Sequence, residues 1–319
     1  MALPRRALAA ASALALCLLA AGCNTARPAY LSQGNFALEG QDAKLAAYNV
    51  AFGAVIGGVG ALVNGSGDDA PALRRLARGA GWGAAGGAVV YGGKWLTGEI
   101  LRSGSLAYGL PARLVHDAGV SVVENAAHDR PPLDRFASHL GFVRVDVRPA
   151  SGDVRARLLP FSAAAFALML ADDNLDFALG RSLAYGTPLF ISDGDGEHPI
   201  FDLTGGSQYA FLSTVSLTDG SGDGEVSRTT AAHELVHVLQ HHEFVRYEAA
   251  LRAPLDGPLR RSAAYQAVSR WVYLDSPVAH AVAYFPVEGG ALGGGCYFNN
   301  WYELEAQAFA ARRQQGVCP

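Results

Sequence analysis

The sequence predicts an α+β fold: helices and a small antiparallel sheet, preceded by a Gly/Ala-rich helical hairpin. Three observations predict it. Ser227 to Arg252 contains no Gly or Pro and spaces its apolar residues as a helix does. Between Gly141 and Leu217, short stretches of strand-like alternation are separated by turns rich in Gly and Asp. Near the N-terminus, two uncharged runs of small residues carry glycines four apart.

Taken in order, Met1 to Cys23 reads as an export signal. Arg5 and Arg6 give the positive start, Ala7 to Ala21 is uncharged and apolar, and Gly22 precedes Cys23. The stretch Leu19-Ala20-Ala21-Gly22-Cys23 resembles the lipobox of bacterial lipoproteins, with Leu19 one place early and Ala20 where that family usually has Leu. The resemblance implies cleavage before Cys23 and a lipid on Cys23. Asn24 in place of Asp favours the outer membrane, facing the periplasm. An ordinary cleaved signal or an uncleaved anchor is the alternative. Residues 1–22 are thus the signal peptide and 23–44 a tether.

The formal net charge is −4, and loss of Arg5 and Arg6 makes it more negative. No basic patch is present, which excludes nucleic acid as a partner. Of four cysteines, Cys17 leaves with the signal and Cys23 takes the lipid. An oxidising compartment would pair the remaining Cys296 and Cys318 as a disulfide; two buried free thiols are the alternative.

The hairpin spans 45–98. Gly53/Gly57, Gly79/Gly83 and Gly83/Gly87 have the G-x-x-x-G spacing that lets helix backbones approach closely. This resembles the glycine-zipper hairpins of some outer-membrane lipoproteins. Two placements are open: a hairpin in or on the membrane, with residues 45–95 as a membrane partner, or a helical pair packed on the protein's own core.

Residues 99–319 form the second domain. Helix continues from Lys94 to Ala127 with a break at Pro111, and Pro131-Pro132 ends it. Strands are expected at Phe142–Val147, Val154–Leu159, Pro188–Ser192, Pro199–Leu203 and Gln208–Leu217, with a short helix over Ser162–Leu175. Acids at Asp193/Asp195/Glu197 and Asp219/Asp223 are those of tight turns. Ser227 or Thr229 caps the long helix, Pro254 ends it, and Leu259–Val272 suggests another.

The long helix carries His233-Glu234-Leu235-Val236-His237, an H-E-x-x-H motif. Residues four apart share a helix face, so both imidazoles can reach one metal ion while Glu234 sits about 100° further round. Leu235, Val236, Val238 and Leu239 fill the arc from roughly 140° to 300° and face a core. The pattern is that of a zinc site with two neutral imidazole ligands and a glutamate beside them.

A catalytic zinc needs a third protein ligand and an open position for water. Together with His233-Glu234-x-x-His237, the segment Glu303-Leu304-Glu305-Ala306-Gln307 resembles the gluzincins, metallopeptidases whose third ligand is a glutamate on a later helix. The resemblance implies that Glu303 is that ligand. Gln307 stands where Asp or Asn is usual, which weakens the expected support of a histidine. Ala306 and Ala310 share the face of Glu303 and permit close approach, whereas Glu305 points about 200° away. A capping box from Asn300 to Glu303 is the competing role.

The expected fold is therefore zinc-peptidase-like. The expected function is a zinc-dependent peptidase of the cell envelope, in which Glu234 activates a zinc-bound water to hydrolyse a peptide or protein substrate. Tyr302, Tyr284 and His280 are the candidates for stabilising an oxyanion. The alternative is a non-catalytic envelope lipoprotein with a structural or vestigial site, marked by His241 or Glu305 closing the fourth position.

Overall fold

A computed structural model describes residues 41–65, 70–192, 208–218, 227–252, 257–277 and 301–310 of the protein. The signal segment with Cys23, the Cys296–Cys318 pair, the Pro199–Leu203 strand, both acidic turns, His280, Tyr284 and Asn300 lie outside these residues.

Helices α1 (Gln41–Asn64) and α2 (Ala72–Ser103) form the predicted hairpin. Their glycines do what the spacing implied. A β-carbon at Gly53 would collide with the Gly83 carbonyl, and one at Gly57 with the Gly79 carbonyl, so only glycine permits this separation. Gly104, at φ 72° in the left-handed region, ends α2. A 3₁₀ turn over Leu106–Tyr108 leads to α3 (Gly109–Ala127). Pro111 therefore does not break a helix; it lies in the first turn of α3, where its missing N–H leaves no bond unmade. Helix α3 packs tightly across α2, since a β-carbon at Gly93 would lie 2.5 Å from the His116 nitrogen.

Strands β1 (Phe136–Leu140), β2 (Val143–Arg148) and β3 (Asp153–Leu158) make an antiparallel meander beside α3. After α4 (Pro160–Leu170) come β4 (Leu175–Phe177), α5 (Leu179–Tyr185), β5 (Leu189–Ser192), β6 (Tyr209–Phe211) and β7 (Thr214–Thr218). These four strands form a second sheet in the order β4-β5-β7-β6. The expectation of one small antiparallel sheet is corrected here, because β5 and β7 pair in parallel. Leu189 and Phe190 are both fully buried, as befits an inner strand covered on two faces. Gln208–Leu217 is likewise two strands, since Leu212 at φ 53° turns the chain back on itself.

Helix α6 (Arg228–Arg252) runs between the second sheet and the helical layer. Ser227 Oγ accepts from the Thr230 N–H at 3.3 Å and caps it, as predicted. Ala231, Ala232, Leu235, Val238 and Leu239 pack on Leu189, Val215 and Leu217 of the sheet. The other side is not solvent-facing: His233, Glu234, Gln240, His241, His242, Glu243 and Arg246 are all buried. Polar groups of α2 and α3 meet them, including Lys94 on Glu243 at 2.8 Å and Glu124 on Arg246 at 2.6 Å. Two short helices, α7 (Gly257–Arg260) and α8 (Ala263–Val268), replace the single helix expected there. Helix α9 (Trp301–Ala310) closes over α6, with Ala306 and Phe309 against Val236 and Leu45.

Candidate metal centre

The centre is built from two helices. On α6, His233 and His237 stand one turn apart with their Nε2 atoms 3.1 Å from each other. From α9, Glu303 reaches both: Oε2 lies 3.2 Å from His233 Nε2, and Oε1 lies 3.1 Å from His237 Nε2. Ala306 and Ala310, fully buried, allow this approach. Glu303 therefore lies where one ion could meet its carboxylate and both imidazoles, while Asn300, the partner in the competing capping box, lies outside the described residues.

The donors fit a metal ion. They lie within 4.8 Å of one another, and their closest separations are 3.1 to 3.2 Å. Tetrahedral bonds of about 2.0–2.2 Å place donor atoms about 3.3–3.6 Å apart, so small outward shifts would admit the ion. Among the described residues no fourth His, Cys, Asp or Glu joins the group.

Electrostatics favour a cation here. Burial disfavours charge on His237, but the Glu303 carboxylate outweighs it and raises the imidazole to about 9. Burial disfavours charge on Glu303 as well, yet the two histidines hold its carboxyl well below the usual range. A metal ion would replace the His237 proton as the positive partner of Glu303.

Glu234 follows His233 on α6 and is 5% exposed. Behind it, Tyr185 donates its hydroxyl to the Ala231 carbonyl. The Tyr185 phenol is pushed well up, by burial first and by the Glu234 charge second. The ring of Tyr302, the residue before Glu303, packs on Phe244 of α6 with 5.3 Å between centroids.

Support for His237 comes from an unexpected residue. Gln240 Oε1 lies 2.9 Å from His237 Nδ1, so the same helix supplies what Gln307 had been expected to weaken. Helix geometry puts Gln240, three residues after His237, on the face of the two histidines, but that position implied no specific role for it. Lys94 and Glu243 likewise had no expected role at the site, and Glu305 was expected there only as a residue that would close the fourth position; all three are buried and joined by ion pairs. His233 Nδ1 is buried with no hydrogen-bond partner among the described residues. No protein-family model, curated protein or solved structure matches the chain.

Proposed function

We propose that the protein is a zinc-dependent peptidase of the bacterial cell envelope, with a zinc-peptidase-like domain of the gluzincin kind, anchored by a lipid on Cys23. The observation that carries the reading is the convergence of His233, His237 and Glu303, with Glu234 on the same turn of α6. His233, His237 and Glu303 would hold a zinc ion, which would supply a Lewis acid for activating water and polarising a carbonyl. Glu234 takes the proton from the attacking water and passes it to the leaving amine. Strand β6 is an outer strand of the sheet packed on α6, and in this reading an extended peptide substrate pairs with this sheet.

A structural metal site in a non-catalytic lipoprotein is the second reading, and it needs a closed fourth position. Glu305, one residue that would close it, is instead engaged by Lys94, Asn49 and Gln240. His241 is not part of the donor group. Both facts favour the enzyme.

The test is a dissociation. Glu234→Gln keeps the size of the side chain and removes its basicity, so it retains zinc and loses peptide hydrolysis by about 10²–10⁴-fold. His233→Ala and Glu303→Ala lose both. Bound zinc and chelator-sensitive cleavage of a denatured envelope-protein mixture are measured together. Cleavage that survives Glu234→Gln would refute the mechanism.

A further inference from the structure

The polar network behind His237 ends in the glycine-rich hairpin. Gln240 Nε2 donates to the Tyr302 carbonyl at 3.1 Å and to Glu305 Oε2 at 2.8 Å. With its N–H groups committed to two acceptors on α9, the amide turns its oxygen to His237 Nδ1. That oxygen can only accept. Nδ1 must therefore carry the proton, and the Nε2 lone pair is left for the metal.

Glu305, in turn, is held by donors on both oxygens. Asn49 Nδ2 reaches Oε1 at 2.9 Å, and Lys94 Nζ reaches Oε1 at 3.1 Å and Oε2 at 2.9 Å. Lys94 has three acceptors for its three protons: Glu305, Glu243 Oε2 at 2.8 Å and Asn49 Oδ1 at 3.0 Å. It is 1% exposed, on a helix otherwise built of small residues at this depth. The close glycine contacts of α1 with α2, and of Gly93 with α3, bring Asn49 and Lys94 to this depth.

We infer that Lys94 is a positioning residue for the metal centre, acting through Glu305 and Gln240 to hold His237 in the tautomer that ligates. The glycine-rich hairpin is then part of the metal site and not an appendage to it. This rests on the proposed metal site, and it deepens that reading by naming what orients one ligand.

The experiment uses the signal-cleaved protein and two readouts: zinc affinity against a chromophoric chelator, and exchange of the His237 Nδ1 proton by NMR in the metal-free state. Lys94→Met and Gln240→Met should each weaken zinc binding about 10–100-fold. Both should also speed exchange of the ring proton. Leu239→Ala, a cavity on the sheet side of α6, lowers stability but leaves both readouts as in the wild type. If Lys94→Met does not fold, Glu305→Gln takes its place under the same two readouts. A folded Lys94→Met protein with wild-type zinc affinity and a protected ring proton overturns the inference. Wild-type protein that takes up no zinc instead defeats the proposed function, while the ring proton still judges the Lys94–Glu305–Gln240–His237 chain.

Discussion

His139 and His242 lie edge to face, with ring centroids 4.9 Å apart, and both are fully buried. Each is held well below the ordinary histidine range, by burial first and then by neighbouring guanidinium groups. Arg144 and Arg246 act on His139, and Arg113 acts on His242. His242 is also tied by Ser213 Oγ at 2.8 Å to Nε2 and by Arg113 Nη2 at 2.9 Å to Nδ1. Because Arg113 can only donate, that nitrogen stays unprotonated. Below pH about 6.5 the unfolded chain binds protons that the folded chain refuses, so stability falls as pH falls. Each histidine contributes up to about 1.4 kcal/mol per pH unit in that window. Denaturant titrations from pH 8 to pH 5 should show the loss beginning near 6.5, and His242→Gln should reduce the slope by about half. A wild-type curve that is flat down to the carboxylate range would contradict this account. Glu124, held well below its usual range by Arg144 and Arg246 against the effect of burial, adds a further loss below about pH 4.5.

At the scale of the element, α2 shows how position decides what a glycine does. A β-carbon at Gly83 would strike the Gly53 carbonyl, whereas one at Gly81 would meet nothing within 4 Å. Alanine is the better helix former by about 1 kcal/mol, so Gly81→Ala should stabilise by about 0.5–1 kcal/mol. Gly83→Ala should do the opposite and cost about 1–3 kcal/mol, because neither backbone can retreat without disturbing Asn49 and Lys94. Chemical denaturation of the two variants checks the pair, and the opposite signs are the point of it. The outer face of the same helix is apolar: Trp82, Val89 and Trp95 are 44%, 39% and 40% exposed. From Gly81 to Leu96 that face carries no charge, and Arg74 and Arg78 precede it while Glu99 and Arg102 follow.

For the whole molecule, that face bears on membrane association. Among the described residues one helix, α1, is long and apolar enough to cross a membrane, over Ala43–Asn64, and it is partly buried within the protein. The hairpin packs on α3, α6 and α9. Deleting 45–95 would strip Lys94 from Glu243 and Glu305, leaving buried carboxylates without their cation, a loss of about 3–5 kcal/mol. Point changes are the better probe. We expect labelled fatty acid on the wild-type protein and none on Cys23→Ser. In the non-lipidated form, Trp82→Asp with Val89→Asp should reduce flotation with anionic vesicles while the fold is kept. Equal flotation of both forms would assign membrane attachment to the lipid alone.

Local chemistry was legible in the order of residues. His233, Glu234 and His237 follow from a four-residue spacing on a helix free of Gly and Pro, and the cap at Ser227 from its hydroxyl. The glycine contacts of the hairpin follow from a repeat of four. Each depends on neighbours within one or two turns, where backbone geometry alone sets which side chains share a face. Glu303 could be named only through its resemblance to a later-helix ligand, because no spacing rule spans 66 residues; the packing of Ala306 on α6 is what seats it. Strand β1, the parallel pairing of β5 with β7, and the split of Gln208–Leu217 were decided by tertiary structure. Short apolar stretches do not encode which neighbour they will bury against. The same holds for Lys94, Glu243 and Glu305. In sequence they are three isolated charges on three helices, and only when α2, α6 and α9 close on one another does burial force them together behind His237 and Glu303.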